Sequence, residues 1–399
     1  MDVITNLKKR EVIEQIIIEK DLVNLLRSDK RLTVYSGIDP TAKELHIGHI
    51  TPLMVLKSFQ QAGHKVILLI GDQTAMIGDP TDKAKTRKKL TREQVIENLS
   101  TYHNQIINIF DFKDNPIEIK QNSEWFGHMN TEMIMNLASN VTVQRIAERD
   151  MFQKRKAEKR PVFLHEFFYP VMQGYDSVAL QADVEIGGRD QLFNMLVGRD
   201  FVRKFLGKDK HCITTPILLG TDGRKMGKTE GNSINISCDA LSIFVNITQI
   251  NDTIIPVYLK RFTNVDNTVI EKVEERLVRK ENMIEDRKIL AYEIVKLLRG
   301  EKEANSAKET FEMTIQKGIV AKEPQKIDLN TLGERRLLKV LHKIGLIQSM
   351  SDGRRLVVSG AIQIDGTKIT NFDLELNSEC VNDGSIIKVG KRGAIKIRY

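Results

Sequence analysis

Two histidines three residues apart, in the segment His46-Ile47-Gly48-His49, are the sharpest chemical signal in the sequence. In the first turn of a helix, that spacing puts both imidazoles on one face beside the positive end of the helix dipole. Gly48 leaves a flat ligand room to approach the backbone. The arrangement suits a nucleoside triphosphate; an HxGH pair taken alone could be a coincidence of surface histidines, but its place after the first strand speaks against that. The second signal is Lys225-Met226-Gly227-Lys228-Thr229, inside a Gly-rich stretch from Gly220 to Gly231. Two ammonium groups three residues apart on a pliable loop can clamp a phosphate chain and then release the product. Gly-Lys-Thr also closes a Walker A loop, but that loop needs glycine five residues before Gly227, where Asp222 stands. Without the histidine pair, an ordinary basic loop would be the better reading.

The elements that must hold these residues can be read from periodicity. Leu32 to Ile38 is predicted as a strand ended by Asp39-Pro40, because proline cannot donate to a ladder and restrains its neighbour. Ile50, Leu53, Met54 and Phe59 recur at helical spacing up to Gly63, and Val66 to Ile70 is a continuous apolar run of the kind buried in a parallel sheet. Strand, helix and strand in close succession make a βαβ unit, so an α/β fold with a doubly wound parallel sheet is expected. Residues 132 to 160 read as helices, the later part dense in basic residues from Arg145 to Arg160. Helical patterning returns from Thr268 to about Gly318, and Pro324, Asp328 and Asn330 mark a linker. Beyond it, Leu337, Leu338 and Leu341, then Leu346 and Ile347, mark two short helices, with turns at Asp365-Gly366 and Asp383-Gly384 between strand-like runs. The expected division is a Rossmann-like catalytic domain over 1–230, an α-helical domain over 231–319, a linker over 320–334 and a small α+β module over 335–399.

Composition narrows the setting. A chain of 399 residues with 41% apolar and 29% charged side chains belongs to a globular protein of two or three domains. Its longest aliphatic run is far too short to span a bilayer, and Lys8, Lys9 and Arg10 lead into no signal-peptide core, so a cytoplasmic protein with no membrane partner is expected. Cys212, Cys238 and Cys380 have no CxxC spacing, which excludes a disulfide framework and a structural zinc site. The net charge is +8, and residues 335–399 carry 12 Lys and Arg against 6 Asp and Glu, which accounts for +6 of it. A nearly neutral body with a basic tail module suggests a polyanion-binding unit, most simply for nucleic acid, with a solvated basic surface as the alternative.

Taken together, His46-Ile-Gly-His49 and Lys225-Met-Gly-Lys-Thr229, about 180 residues apart, resemble the HIGH and KMSKS pair of class I aminoacyl-tRNA synthetases. Tyr35-Ser-Gly-Ile-Asp-Pro-Thr-Ala42, Ile77-Gly-Asp-Pro80, Tyr169-Pro-Val-Met-Gln-Gly-Tyr-Asp176 and Gly187-Gly-Arg-Asp-Gln191 narrow the resemblance to the bacterial-type tyrosyl-tRNA synthetases. The stretch from Arg335 to Gly366, with Ser351-Asp-Gly-Arg-Arg355, resembles an S4 RNA-binding module.

The resemblance implies that Tyr35 and Asp176 bind the substrate phenol, while Asp79, Tyr169 and Gln173 hold its ammonium group. It places Asp39, Thr41, His46, His49, Gly188, Asp190 and Gln191 around the adenylate, with Lys225 and Lys228 on the triphosphate. Lys83 and Arg87 either join that grip or form a solvated basic loop. His46, His49, Lys225 and Lys228 are the implied catalytic residues, acting on ATP that enters with Mg²⁺ as a substrate, with no tightly bound protein-ligated metal. For the RNA, Arg335, Arg336, Arg354, Arg355, Lys391 and Arg392 are implied as contacts to tRNA(Tyr), in a homodimer. Two departures stand out. Gly227 and Thr229 replace the serines of KMSKS, and Arg189 stands where a small residue is expected, so that it either points outward or alters the nucleotide pocket. Trp125 reads as a packing residue, and His64, His103, His128, His165, His211 and His342 lack metal-ligand spacing. The alternatives are a tryptophanyl-tRNA synthetase, an inactive RNA-binding paralogue and a stand-alone nucleotidyltransferase. The first two lack, respectively, a use for paired phenol partners and a use for intact histidines and lysines, and the third leaves the basic module without a role.

Overall fold

The computed structural model describes residues 3–80, 90–223, 226, 232–316, 325–347, 349–377, 380–390 and 393–398. The chain divides into two compact units, Met1–Ala307 and Lys308–Tyr399. The first is built on a six-stranded sheet of β1 (Gln15–Ile17), β2 (Thr33–Ile38), β3 (Lys65–Ile70), β4 (Glu118–Gln121), β5 (Val184–Gly188) and β6 (His211–Thr215), in the order β1-β6-β5-β2-β3-β4. All neighbours run parallel except the edge strand β1, which is antiparallel to β6. The expected βαβ unit is β2, the helix Ile50–Gln61 and β3, with the strands registered so that Tyr35 lies opposite Ile67 on one side and Glu185 on the other. Leu53, Val55, Leu56 and Phe59 of that helix are fully buried, whereas Met54 is only half-buried. The doubly wound parallel sheet is therefore present, and its apolar strands are covered on both faces as such sheets require.

The helices expected from Thr268 to about Gly318 are Asn267–Val278, Ile284–Arg299 and Glu301–Thr310, preceded by Ala240–Thr248 and Ile255–Phe262. Ile255–Phe262 packs on Ile50–Gln61, and the Arg10 guanidinium donates to the carbonyls of Thr263 and Val265 at 2.8 Å each, so residues beyond 231 share the first unit with the sheet. Among the described residues no helix is long and apolar enough to cross a membrane.

The second unit carries a five-stranded sheet of β7 (Gln325–Asp328), β8 (Ile362–Ile364), β9 (Thr367–Lys368), β10 (Ile386–Val389) and β11 (Gly393–Arg398), in the order β7-β11-β10-β8-β9. The two short helices are Leu337–Lys343 and Met350–Val358, whose Leu337, Leu338, Leu341 and Val357 form one core with Ile387, Val389 and Ile395 of the sheet. Asp365 and Gly366 both take positive φ, 47° and 85°, which is the backbone of a two-residue hairpin turn. Within the stretch read as a linker, residues 325–328 form β7 parallel to β11, and Leu329–Leu332 forms a helical turn. Gln325-Lys-Ile-Asp328 has only one apolar side chain, Ile327, so its membership in a sheet is invisible until β11 is placed beside it.

Candidate active site

A cavity of about 400 Å³ opens at the C-terminal ends of β2 and β5, where the chain winds from β2 toward β3 in one direction and β5 lies in the other. In open α/β sheets this reversal point is where ligands bind. Tyr35 and Asp39 reach the cavity from β2 and the turn after it, Thr41, His46 and His49 from the following segment, and Asp79 from the loop after β3. The helix Leu164–Ala179 contributes Tyr169, Gln173 and Asp176, and the end of β5 contributes Gly188, Asp190 and Gln191. The twelve described positions of the expected tyrosine and nucleotide sites thus line one cavity. Lys225, Lys228, Lys83 and Arg87 lie outside the described residues, but Met226, between the two loop lysines, lines the same cavity.

His46 is the N-cap of a short 3₁₀ turn, Ile47–His49, that runs into the helix Ile50–Gln61. The Gly48 N–H donates to His46 Nδ1 at 3.2 Å, and the His46 N–H donates to His49 Nδ1 at 3.1 Å. With both Nδ1 atoms accepting, each ring carries its hydrogen on Nε2, which is a donor suited to a phosphate oxygen. The ring centroids are 3.8 Å apart. A Cβ at Gly48 would lie 2.9 Å from His46 Cε1 and Nδ1, so the space left by this glycine is occupied by the His46 ring itself rather than held open for a flat ligand.

The polar groups deeper in the cavity are held by one another. Tyr169 Oη donates to Asp39 Oδ2 at 2.9 Å, and Thr74 Oγ1 to Asp39 Oδ1 at 2.7 Å. Gln191 Nε2 donates to Asp79 Oδ2 at 2.6 Å, and Arg149 Nη2 lies 3.8 Å from Asp79 Oδ1. Asp176 accepts from Trp125 Nε1 at 2.9 Å and from Asn122 Nδ2 at 3.4 Å. Burial pushes the Asp176 carboxyl well above the usual carboxylate range despite those two donors. Tyr35 Oη sits 2.8 Å from Ser177 Oγ, and burial beside Glu185 and Asp176 drives its phenol well above the ordinary value. Two adjacent buried oxygen groups, one neutral hydroxyl and one carboxyl, can match both the hydrogen and the lone pairs of a ligand hydroxyl.

Several expectations change. Trp125 is a hydrogen-bond donor to Asp176 rather than only a packing residue. The basic helical stretch is not uniformly solvated. Arg149 is buried over the Phe193 ring, 5.2 Å from its centroid, and Arg155 pairs with Glu166 at 2.6 Å with both side chains buried. Arg189 points outward, exposed, and pairs with Glu14 at 2.7 Å, so the departure from a small residue leaves the cavity unaltered. His64 is a buried side chain whose Nδ1 accepts from the Leu32 N–H at 3.4 Å. Sequence reasoning missed Ser177, Glu185 and Lys210 altogether. A signal existed for Glu185, a charge between the buried apolar residues Val184 and Ile186 of a central strand.

In the second unit Arg335, Arg336, Arg354 and Arg355 are exposed, the last with 80% of its side chain accessible, while Lys391 and Arg392 lie outside the described residues. Among the described residues no group of three or more His, Cys, Asp or Glu could hold a metal ion.

Residues 27–316 match the family described as tRNA synthetases class I (W and Y), and residues 335–379 match the S4 domain. The chain is 41% identical over 383 residues to the tyrosine–tRNA ligase of Aquifex aeolicus, covering 95% of this chain and 94% of that one. It is 38% identical over 393 residues to the tyrosine–tRNA ligase of Thermotoga maritima, covering 98% and 96%. Among solved structures, it is similar in fold to a C-terminally truncated mitochondrial tyrosyl-tRNA synthetase from Coccidioides posadasii, with a TM-score of 0.64 and 24% identity over 77% of this chain and 91% of that one. A tryptophanyl-tRNA synthetase from Encephalitozoon cuniculi bound to tryptophan shares the fold at a TM-score of 0.59 and 17% identity, over 76% and 87%.

Proposed function

The chain belongs to the class I tRNA synthetases, among the tyrosine–tRNA ligases, and from that membership we propose that the cavity at the ends of β2 and β5 is where it binds tyrosine and ATP and joins them. The activity has two steps. The tyrosine carboxylate attacks the α-phosphorus of ATP and pyrophosphate leaves. A ribose hydroxyl at the 3′ end of tRNA then attacks the carbonyl carbon of the adenylate, and AMP leaves. The observation that supports this cavity as the site is the convergence of the twelve described positions on one space of about 400 Å³.

In this reading Tyr35 and Asp176 meet the phenol, and Asp79, Tyr169 and Gln173 meet the ammonium group. No general base is required in the first step, since the nucleophilic carboxylate is already ionised at neutral pH. Acceleration therefore comes from alignment and from donors aimed at the phosphates: Nε2–H of His46 and His49, and the ammonium groups of Lys225 and Lys228. Asp39, Thr41, Gly188, Asp190 and Gln191 contact the adenylate, and Lys83 and Arg87 add positive charge to the same phosphates. Mg²⁺ enters with ATP as part of the substrate. A tryptophan-activating reading is not favoured, because the curated relatives at 38–41% identity are tyrosine ligases and the cavity ends in paired oxygen groups rather than a lone indole acceptor.

The protein acts as a homodimer in the cytoplasm. Met133 and Met135 on the helix Thr131–Ala138, Val143 on Val143–Ala147, and Phe163 and Leu164 at the start of Leu164–Ala179 are exposed apolar residues on helices that pack together, and such a patch suits a pairing face. Cys212, Cys238 and Cys380 are free thiols, as a reducing compartment would keep them.

The RNA step is tested on the exposed arginines. The protein should charge tRNA with labelled tyrosine, and the double substitution Arg354→Glu, Arg355→Glu should lower charging about tenfold or more at physiological salt, with a shallower salt dependence, while exchange of pyrophosphate into ATP continues. Undiminished charging by this variant would detach the second unit from RNA binding.

A further inference from the structure

At the inner wall of the cavity, which Glu185 helps to line, lies a charged cluster that none of the steps above uses. Lys210 and Glu185 form an ion pair whose side chains are 0% and 4% exposed. Lys210 Nζ also donates to Ser177 Oγ at 2.8 Å, and Ser177 Oγ is 2.8 Å from Tyr35 Oη. On its other oxygen Glu185 accepts from Gln173 Nε2 at 3.0 Å. Gly198 makes the room: a Cβ there would lie 2.6 Å from Lys210 Nζ and 2.7 Å from Ser177 Oγ. A buried ion pair seldom adds net stability over an apolar replacement, so one placed a single hydroxyl away from Tyr35 calls for another reason.

The distances in this cluster favour one arrangement of its hydrogens. An ammonium group can only donate, so Ser177 Oγ accepts from Lys210. The Ser177 hydrogen then has two acceptors, Tyr35 Oη at 2.8 Å and Glu185 Oε2 at 3.4 Å, and the latter already accepts from Lys210. The shorter contact takes it. Tyr35 Oη then accepts from Ser177, and its own O–H meets both the Glu185 carboxylate, whose two oxygens Lys210 and Gln173 already engage, and the cavity that Tyr35 lines, where a ligand oxygen has no such competitors.

We infer that Lys210 and Glu185, acting through Ser177, are positioning residues that turn the Tyr35 hydroxyl into a donor aimed at the phenol oxygen of the bound amino acid, and so help to set the preference for tyrosine over phenylalanine. The inference rests on the tyrosine reading of the cavity. With Tyr35 donating and Asp176 accepting, the lone pair and the hydrogen of the substrate hydroxyl are both matched. Phenylalanine offers neither protein group a partner on the ligand side. The raised Tyr35 phenol keeps its hydrogen throughout the neutral range, as a donor must.

The test is ATP–pyrophosphate exchange with tyrosine and with phenylalanine, on the full chain, for wild type, Ser177→Ala, Tyr35→Phe and their double variant. Ser177→Ala removes one hydroxyl and no charge, and is expected to narrow the ratio of the two kcat/KM values about fivefold, the worth of one neutral hydrogen bond. In the Tyr35→Phe background it should narrow the ratio no further, because Ser177 acts only through that hydroxyl. Equal slowing with both amino acids, or the same narrowing when Tyr35 is already Phe, overturns the inference. The paired substitution Lys210→Met, Glu185→Gln, which leaves no buried charge, should narrow the ratio as Ser177→Ala does, and an unchanged ratio removes the ion pair from the assignment. Wild-type protein that fails to exchange with tyrosine would instead strike the reading of the cavity itself.

Discussion

Replacing Lys228 with alanine should slow tyrosyl-adenylate formation by about a hundredfold or more, the usual consequence of deleting one donor aimed at developing charge. The expectation follows from chemistry rather than from bulk charge. The attacking carboxylate needs no activation, so the barrier lies in bringing it in line with the α-phosphorus and in stabilising the phosphate oxygens as pyrophosphate departs. In the sequence Lys228 follows Met226 by two residues, and Met226, with Pro216, Ile217 and Leu218, lines the cavity. A group that acts mainly in the transition state lowers the rate constant and spares ground-state affinity. Single-turnover kinetics should therefore show a large fall in the rate of adenylate formation with tyrosine affinity changed little. A normal rate, or a loss confined to tyrosine binding, would assign the loop lysine another role.

The second large effect concerns amino-acid choice. Asp176→Ala should cut the tyrosine-over-phenylalanine ratio in pyrophosphate exchange by about 10- to 100-fold, corresponding to a lost hydrogen bond to a carboxyl group. Phenylalanine fits any space that admits tyrosine, so rejection depends on polar groups left unpaired when the hydroxyl is missing. Asp176 is 3% exposed and oriented by Trp125 and Asn122, so it cannot turn to solvent when the ligand offers no partner. Burial also pushes its carboxyl upward, and among the described residues the hydrogen bonds from Trp125 and Asn122 offset that cost. Tyr35→Phe should act in the same direction but more weakly, since the lost partner is neutral. Retention of the full preference by the Asp176 variant would make it a structural carboxyl on the helix Leu164–Ala179.

Much of this fold and site is legible in the sequence. The alternation of apolar run, helical period and apolar run from Leu32 to Ile70 specified β2, the helix Ile50–Gln61 and β3, because a buried parallel strand and a packed helix leave different periods in the sequence. Asp365-Gly366 announced its hairpin for an equally local reason, the need for two positive φ angles. What escaped depends on partners remote in sequence. Arg149 and Arg155 look like their solvated neighbours Lys154 and Lys156 until Asp79, Phe193 and Glu166 arrive beside them. Lys210 is 33 residues from Ser177 and 25 from Glu185, and nothing local marks a lysine at the start of a strand as buried. Similarly, β7 holds one apolar side chain and becomes a strand only through its ladder with β11.

Activation of tyrosine with ATP in this cavity is measured on its own, without tRNA, by amino-acid-dependent exchange of labelled pyrophosphate into ATP. Tyrosine is expected to support rapid exchange, with tryptophan and phenylalanine giving rates lower by orders of magnitude under the same conditions. Exchange driven equally well by tryptophan, or no exchange with any of the three amino acids, would contradict it.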